Sequence, residues 1–426
     1  MYILRNVNDF SHNDLNYIIK NIDKQKGGSV KGEFNEPNRI IATGDFHGDL
    51  EACKVCFRDL ARVADDNGNW VGEDNTYVVL LGDMIDRKRI DSIEDNDGRT
   101  PGEIDNEEKM LLEYINKVSE TAKKAKNCKV IKCLGNHEIM NLFGKEYKQS
   151  VAAYSSKYSL GNYCDNGKCG VDQKIKLFDP LGDIGKLIGE NDAYGMVKIG
   201  NWLFMHGGLS ANLLKKLHST HNIKGSNNVV NETNQIASDI FKGHDTFEGK
   251  ANKRKRRLLY NLFKDSRDAI VWNRHLSSQT REINKRNLDE IFEMLKMNKK
   301  ESHIVVAHTP QFIREYIKGY VYTQDKPKKD GNRLIYNGPG RKPNGNSLEH
   351  GINFDAPYNN NSGGQVWRID VGMSRAFDTD DMSQKELFIR RPQLLEIFPA
   401  TKKTRVIVAN QGLTRNGLNF NDEGHV

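Results

Sequence analysis

The segment NRIIATGDFHGD, residues 38–49, holds two kinds of order side by side. Ile40, Ile41 and Ala42 form an unbroken apolar run, which predicts a strand buried on both faces. The glycines and charged residues of GDFHGD end that strand. From 49 to 64 the apolar positions move to three-and-four spacing, which predicts a helix. The same strand, turn, helix unit returns twice. TYVVLLGD (76–83) is a second strand, with an amphipathic helix expected over 105–125, and CKVIKCLGN (128–136) is a third, leading into a helix that begins near Glu138. Each strand runs into a polar cluster. In α/β sheets ligand sites collect there, because strand carboxyl ends present loops on a rigid scaffold.

Further along, GMVKIGNWLFMHGG (195–208) predicts a hairpin turning at Gly200 and Asn201. ESHIVVAHTP (301–310) is another strand, and QVWRIDVG, LLEIF and TRVIVA close the chain with three more. Residues 215–280 are polar and helical, and are expected to form a helical cap inserted in the fold. Residues 324–364, rich in Gly, Asn and Lys, are expected to be a mobile loop, since that composition buries little apolar surface. The organisation expected is an N-terminal arm (1–37), a catalytic domain (38–412) with those two insertions, and a C-terminal tail (413–426).

The strand ends supply ligand-type side chains in order: Asp45 and His47, then Asp83, then Asn136, then His206 and His308. Near-extended backbone at DxH predicts that Asp45 and His47 point to one side. A carboxylate such as Asp83 can bridge two cations, one oxygen to each, while the Asn136 carbonyl adds an oxygen without charge and neutral imidazole suits Zn, Fe or Mn. Singly, these residues have plainer readings. An Asp at a strand end is commonly a turn former or helix cap, and a lone histidine is more often a hydrogen-bonded structural residue. Six together are harder to dismiss, because burying so many polar side chains without a cation leaves costly unsatisfied groups.

Taken in sequence, GDFHGD (44–49), GDMIDR (82–87), GNHE (135–138), MHGG (205–208) and AHTP (307–310) resemble the signatures of calcineurin-like metallophosphoesterases. GNHE and HGG are most similar to the phosphoprotein phosphatase group. DAIVWNRH (268–275) and WRIDVGMS (367–374) resemble segments of its Shewanella-like branch. The resemblance implies an α/β (α+β) fold, a four-layer sandwich of two mixed β-sheets flanked by helices, with a helical cap insertion. It implies two divalent metal ions, Mn, Fe or Zn with Mg also suitable. Asp45, His47 and Asp83 would hold the first, and Asp83, Asn136, His206 and His308 the second. A water or hydroxide bridging the ions would attack phosphorus in line. Arg87 would bind phosphoryl oxygens, with Asn136 and Arg274 also toward the substrate. His137 would protonate the leaving oxygen, and Asp86 would orient that imidazole.

The implied activity is that of a protein phosphatase acting on phosphorylated Ser/Thr or Tyr side chains, with a phosphorylated protein or peptide as partner. A dinucleoside polyphosphate hydrolase of the same superfamily shares the metal blocks, and a noncatalytic phospho-ligand binding protein is a reading from another class. Retention of every ligand together with Arg87 and His137 favours catalysis. Two departures stand out. Lys88 follows GDMIDR where protein phosphatases carry glycine, and the SAPNY-type segment of eukaryotic Ser/Thr phosphatases is missing. Arg87, Lys88 and Arg89 together predict a basic edge suited to polyanionic substrates.

The 426 residues are 37% hydrophobic and 28% charged, enough apolar content to exclude global disorder, and the net charge of +7 favours acidic partners. The basic run Lys253–Arg257 reads as a charged helix face, and no aromatic-interleaved basic groove supports nucleic-acid binding. The first residues lack a signal-peptide pattern, and no apolar run reaches the ~20 residues of a membrane helix, so an intracellular, cytoplasmic protein without membrane attachment is expected. Cys53 and Cys56 form a CxxC, but inside a predicted helix their spacing suits a core stripe. Cys164 and Cys169 flank a turn, and their pairing is left open by the sequence.

Overall fold

In the computed structural model the described residues are 31–87, 107–155, 160, 161, 163–165, 167–277, 285–310, 328–337, 353–357, 364–374, 391–413 and 419–421. Strands follow in chain order as β1 (Glu33–Phe34), β2 (Arg39–Thr43), β3 (Thr76–Leu80), β4 (Lys129–Cys133), β5 (Cys164–Asp165), β6 (Lys168–Cys169) and β7 (Ala193–Tyr194). Then come β8 (Met196–Ile199), β9 (Trp202–Met205), β10 (His303–Val306), β11 (Lys328–Asp330), β12 (Arg333–Asn337), β13 (Asn353–Pro357), β14 (Gly364–Arg368), β15 (Gln393–Phe398), β16 (Lys403–Ala409), β17 (Gln411–Leu413) and β18 (Asn419–Asn421). One sheet has the order β1-β8-β9-β10-β14-β13, the other β11-β12-β16-β15-β2-β3-β4-β7. Both are mixed. The parallel run β2, β3, β4, β7 is the part built from the strand, turn, helix units.

Alternation of side chains explains the layering. Ile40 and Ala42 of β2 and Val79 of β3 join Phe204, Val305 and Trp367 of the other sheet in one buried cluster, so these positions face the inter-sheet space. Their neighbours Ile41, Val78 and Leu80 join a second cluster with helical residues such as Phe57, Leu111 and Ile115. Successive side chains of a strand point to opposite faces, so each central strand is apolar throughout. The result is two mixed sheets packed face to face and flanked by helices, with helical insertions.

The flanking helices are α1 (Leu50–Lys54, continued by a π-helical turn over Val55–Leu60), α2 (Glu107–Ala122), α3 (Asn136–Leu142), α4 (Lys148–Ala153), α5 (Val171–Phe178), α6 (Asp183–Gly189), α7 (Ala211–His221), α8 (Ser226–Ile240), α9 (Lys253–Leu259) and α10 (Lys285–Leu295). Asp49 caps α1, accepting the Ala52 N–H at 3.1 Å. Cys53 and Cys56 are buried in this helix, and burial raises both thiols, that of Cys56 to about 12, so they belong to the core. Helix α8 packs against β7, the edge strand of the eight-stranded sheet, and against β8 of the six-stranded sheet. Its buried Asn234 accepts the Gly195 and Met196 N–H groups and donates to the Met196 carbonyl.

Two expectations change. Residues 324–364 are not loop throughout, because β11, β12 and β13 extend both sheets at their edges, and Arg333 anchors β12 by donating to the Leu60 carbonyl at 3.0 Å. Glu33 and Phe34, read as part of an arm, pair with β8 in parallel. Cys164 and Cys169 form a disulfide across the small β5–β6 hairpin.

Candidate dimetal site

The loops that follow β2 and β3 are zipped together by the backbone. Asp45, His47 and Gly48 donate their N–H groups to the carbonyls of Gly82, Asp83 and Met84 at 3.0, 2.9 and 2.8 Å. The site's loops share an unusual handedness. Asp45, His47, Asp83, Asp86 and His308 all have positive φ, at 57°, 43°, 49°, 65° and 67°, so the extended DxH geometry expected from the sequence is not what aims these side chains. Left-handed residues after β2, β3 and β10 do so, at a cost of about 1–2 kcal/mol per ordinary residue. Phe46, fully buried between them, pins the turn. The loops lie so close that a Cβ on Gly82 would meet the Gly135 nitrogen at 2.4 Å, which explains glycine before both Asp83 and Asn136. Glu138 ties the third loop in: its carboxylate accepts N–H groups from Asp83, Met84 and Gly135, each at 2.8 Å.

On this frame the sequence-predicted ligands converge. Asp83 Oδ2 lies 3.3 Å from His206 Nε2, 3.7 Å from His47 Nε2 and 3.9 Å from His137 Nε2. Two groups of donors share it, His47–Asp83–His137 and Asp83–His206–His308, each with its ligand atoms within 4.8 Å of one another. Asp45 Oδ1 flanks the second group, 3.3 Å from the His308 N–H and 4.0 Å from His206 Nδ1. His137 thus joins the first group geometrically, a placement the sequence reading reserved for Asp45.

The donor chemistry fits cations. His206 and His47 each turn Nδ1 to a backbone carbonyl, Leu81 at 2.7 Å and Ile85 at 3.1 Å, so a neutral ring keeps its proton there and presents the Nε2 lone pair to the site. For His206 that lone pair faces two other acceptors, Asn136 Oδ1 at 3.0 Å and Asp83 Oδ2 at 3.3 Å. Three acceptors in mutual contact need a proton or a metal ion among them. Accordingly, although burial opposes it, Asp83 raises the His206 imidazole. Burial, His206 and Arg274 push His308 well below the usual histidine range, and its Nε2 has no hydrogen-bond partner among the described residues. Such a ring is an available neutral ligand. These paired groups form two candidate metal-binding sites that share Asp83, as a dinuclear divalent centre requires.

His137 is held differently, with Nδ1 2.8 Å from Asp86 Oδ2. The same oxygen accepts from Asn141 at 2.8 Å, and Asp86 Oδ1 accepts from the Lys174 ammonium at 2.7 Å. Burial raises the Asp86 carboxyl, but Lys174 and His137 outweigh it and leave the group below its ordinary value. The Tyr154 ring meets His137 edge to face, centroids 4.8 Å apart. Arg87 is buried, its guanidinium paired with Glu107 and its N–H given to Glu108 at 3.0 Å. Arg274 is exposed beside His308, donating to Thr309 Oγ1 at 3.2 Å, while Trp272 meets the His308 ring edge-on. The HGG turn places it: Gly207 and Gly208 both donate to the Ile270 carbonyl, at 2.7 and 2.9 Å.

Sequence reasoning missed Glu107, Glu108, Tyr154 and Lys174. The acidic pair opening α2 was a visible signal, whereas nothing local marked Lys174. Ser374, within WRIDVGMS, donates to the His47 carbonyl at 3.4 Å, which brings that segment to the site. Lys88 and Arg89 of the predicted basic edge lie outside the described residues. In the basic run, Arg254 pairs with Glu232 and Arg256 donates to the Phe247 carbonyl, so these cations fasten α9 internally. Among the described residues no helix is long and apolar enough to cross a membrane.

The model for the calcineurin-like phosphoesterase family matches residues 38–312. Shewanella-like protein phosphatase 1 of Plasmodium berghei (strain Anka) is 27% identical over 303 residues, 69% of each chain. Shewanella-like protein phosphatase 2 of Arabidopsis thaliana is 26% identical over 242 residues, 48% of this chain and 56% of its own length, so the chain spans little more than half of that relative. Among solved structures, a cold-active protein-tyrosine phosphatase of a psychrophilic Shewanella species matches with a TM-score of 0.45 at 15% identity, over 91% of this chain and 81% of that one. The family match covers well over half of the chain and contains every proposed strand-end ligand from Asp45 to His308: the chain belongs to the calcineurin-like phosphoesterase family.

Proposed function

We propose that this protein is a metal-dependent phosphomonoesterase that removes phosphate from phosphorylated protein side chains. The observation that carries the reading is the convergence on Asp83 of His47, His206 and His308, with Asn136 against His206, an Asp86-backed histidine beside them and an exposed arginine next to His308. In this reading Asp45, His47 and Asp83 hold one ion, and Asp83, Asn136, His206 and His308 the other. When bound, the two cations supply an activated water and draw charge from the phosphoryl oxygens. The chain's own groups do the rest. Arg274 meets the phosphoryl oxygens from the exposed side of His308. Arg87, its head fixed by Glu107, is a second guanidinium for them. His137 keeps Nδ1 bound to Asp86 and delivers a proton from Nε2 to the departing oxygen.

Two relatives that are named protein phosphatases support a protein substrate. Metal analysis paired with a phosphopeptide array tests the proposal, with Asp83→Asn as control. Release of phosphate from phosphopeptides by protein carrying two ions, lost with Asp83→Asn, is expected. Cleavage of a dinucleoside tetraphosphate without phosphopeptide turnover would overturn it, as would two bound ions with no turnover of any phosphoester. His137→Asn separates the acid from a ligand. Retention of both ions with loss of turnover fits the acid, and loss of one ion makes His137 a ligand.

A further inference from the structure

Lys174 is a completely buried cation placed behind the chemistry, on α5. Its ammonium is 2.7 Å from Asp86 Oδ1, 2.9 Å from Ser155 Oγ and 3.8 Å from Glu108 Oε2. It lies over the rings of Tyr163 and Phe178, centroids 5.4 and 5.0 Å away, and Tyr163 donates its hydroxyl to Glu108. Burying an ammonium carries a desolvation penalty that its partners must offset.

The partners give that cost a purpose. Asp86 is left-handed at φ 65° and buried, and its two oxygens divide their work: Oδ2 takes the His137 ring and Asn141, and Oδ1 takes Lys174. Without Lys174, Oδ1 would be a buried anionic oxygen without its cation, and the carboxylate would be free to rotate away from Nδ1. Glu108, the other carboxylate near the ammonium, accepts the Arg87 N–H through Oε1. One buried cation therefore braces both the histidine that faces Asp83 and the backbone of Arg87.

We propose that Lys174 is a positioning residue for the leaving-group side of the reaction, acting through Asp86 on His137. The inference rests on the phosphomonoesterase reading of this site. Its signature is dependence on the leaving group. A poor leaving group needs the His137 proton, whereas a dinitrophenolate departs without one.

The test compares wild type and Lys174→Met on dinitrophenyl phosphate, phenyl phosphate and a phosphoserine peptide, with metal content measured in parallel. Expected is a fall in kcat of about 10- to 100-fold on phenyl phosphate and the peptide, part of the 10²–10⁴ that a general acid contributes. On dinitrophenyl phosphate the fall should be no more than about threefold. KM and the two-metal stoichiometry should change little, and Lys174→Arg should restore part of the loss. An equal fall on all three substrates, or none on any, overturns the proposal. If Lys174→Met does not fold, Lys174→Gln keeps a donor without the charge and is read in the same way. Failure of both to fold assigns Lys174 to stability and also overturns it. Wild-type turnover of dinitrophenyl phosphate, abolished by Asp83→Asn, checks the underlying reading separately. Its absence sinks that reading, while a flat leaving-group profile in an active enzyme sinks this inference alone.

Discussion

Arg274 donates to Thr309, next to His308 in the chain, and is itself exposed, so we place its guanidinium on the side from which a phosphate enters. A charge-assisted hydrogen bond of this type contributes about 1.5–3 kcal/mol. Arg274→Ala should therefore raise KM for phosphomonoesters by about 10- to 100-fold while both metal ions stay bound. Steady-state kinetics and metal analysis check this, and an unchanged KM would make the arginine a surface residue. Side-chain identity was the legible part of the site, since every proposed ligand could be named from motif spacing. Backbone handedness was not. Asp45 and His47 follow a strand and read as its extension, but the hydrogen bonds that hold them left-handed go to residues 82–84, and no local pattern announces them. Lys174 was illegible for a similar reason. Its meaning comes from Asp86, 88 residues earlier in the chain.

The elements themselves were easier to read, because the apolar run of a central strand and the three-and-four spacing of a flanking helix are local patterns. What failed was composition as a guide to loops: β12 carries polar residues and lies toward a sheet edge, where one side of a strand needs no apolar cover. Within β4, Lys132 shows how an element is supported from beneath. Its buried ammonium donates to Asn116 Oδ1 at 2.7 Å and to the Leu187 and Glu190 carbonyls at the end of α6. Burial lowers this lysine from 10.5 to about 7. Between those values the unfolded chain holds a proton that the folded one does not, so stability rises with pH, by at most about 1.4 kcal/mol per unit. Denaturant titrations from pH 7 to 10 should show that rise in wild type and a flatter profile in Lys132→Met. Parallel profiles would mean that Lys132 stays charged when folded.

The molecule as a whole holds its metal loops by backbone pairing and by the Glu138 carboxylate, contacts that need no ion. Chelation should therefore remove activity and lower Tm while leaving the far-ultraviolet circular dichroism unchanged, and added Mn or Zn should restore both. Loss of secondary structure on chelation would show that the ions build the fold. Ligand binding at 1,000 times Kd contributes about 4 kcal/mol of stability, so the Tm change should be easily measured.

Strand β2, which aims Asp45 and His47, lies between β3 and β15, so one of its two neighbours comes from residues 393–398. This arrangement sets a timetable for biosynthesis. A ribosome that has just added His308 has supplied every proposed ligand, yet β2 still has a bare edge, and at ~5–20 residues per second the missing strand arrives roughly 5–20 s later. A chain truncated before Gln393 should bind fewer than two ions, and two ions on such a fragment would disprove the dependence. Metal delivery would then wait until residues 393–398 have been made and paired with β2.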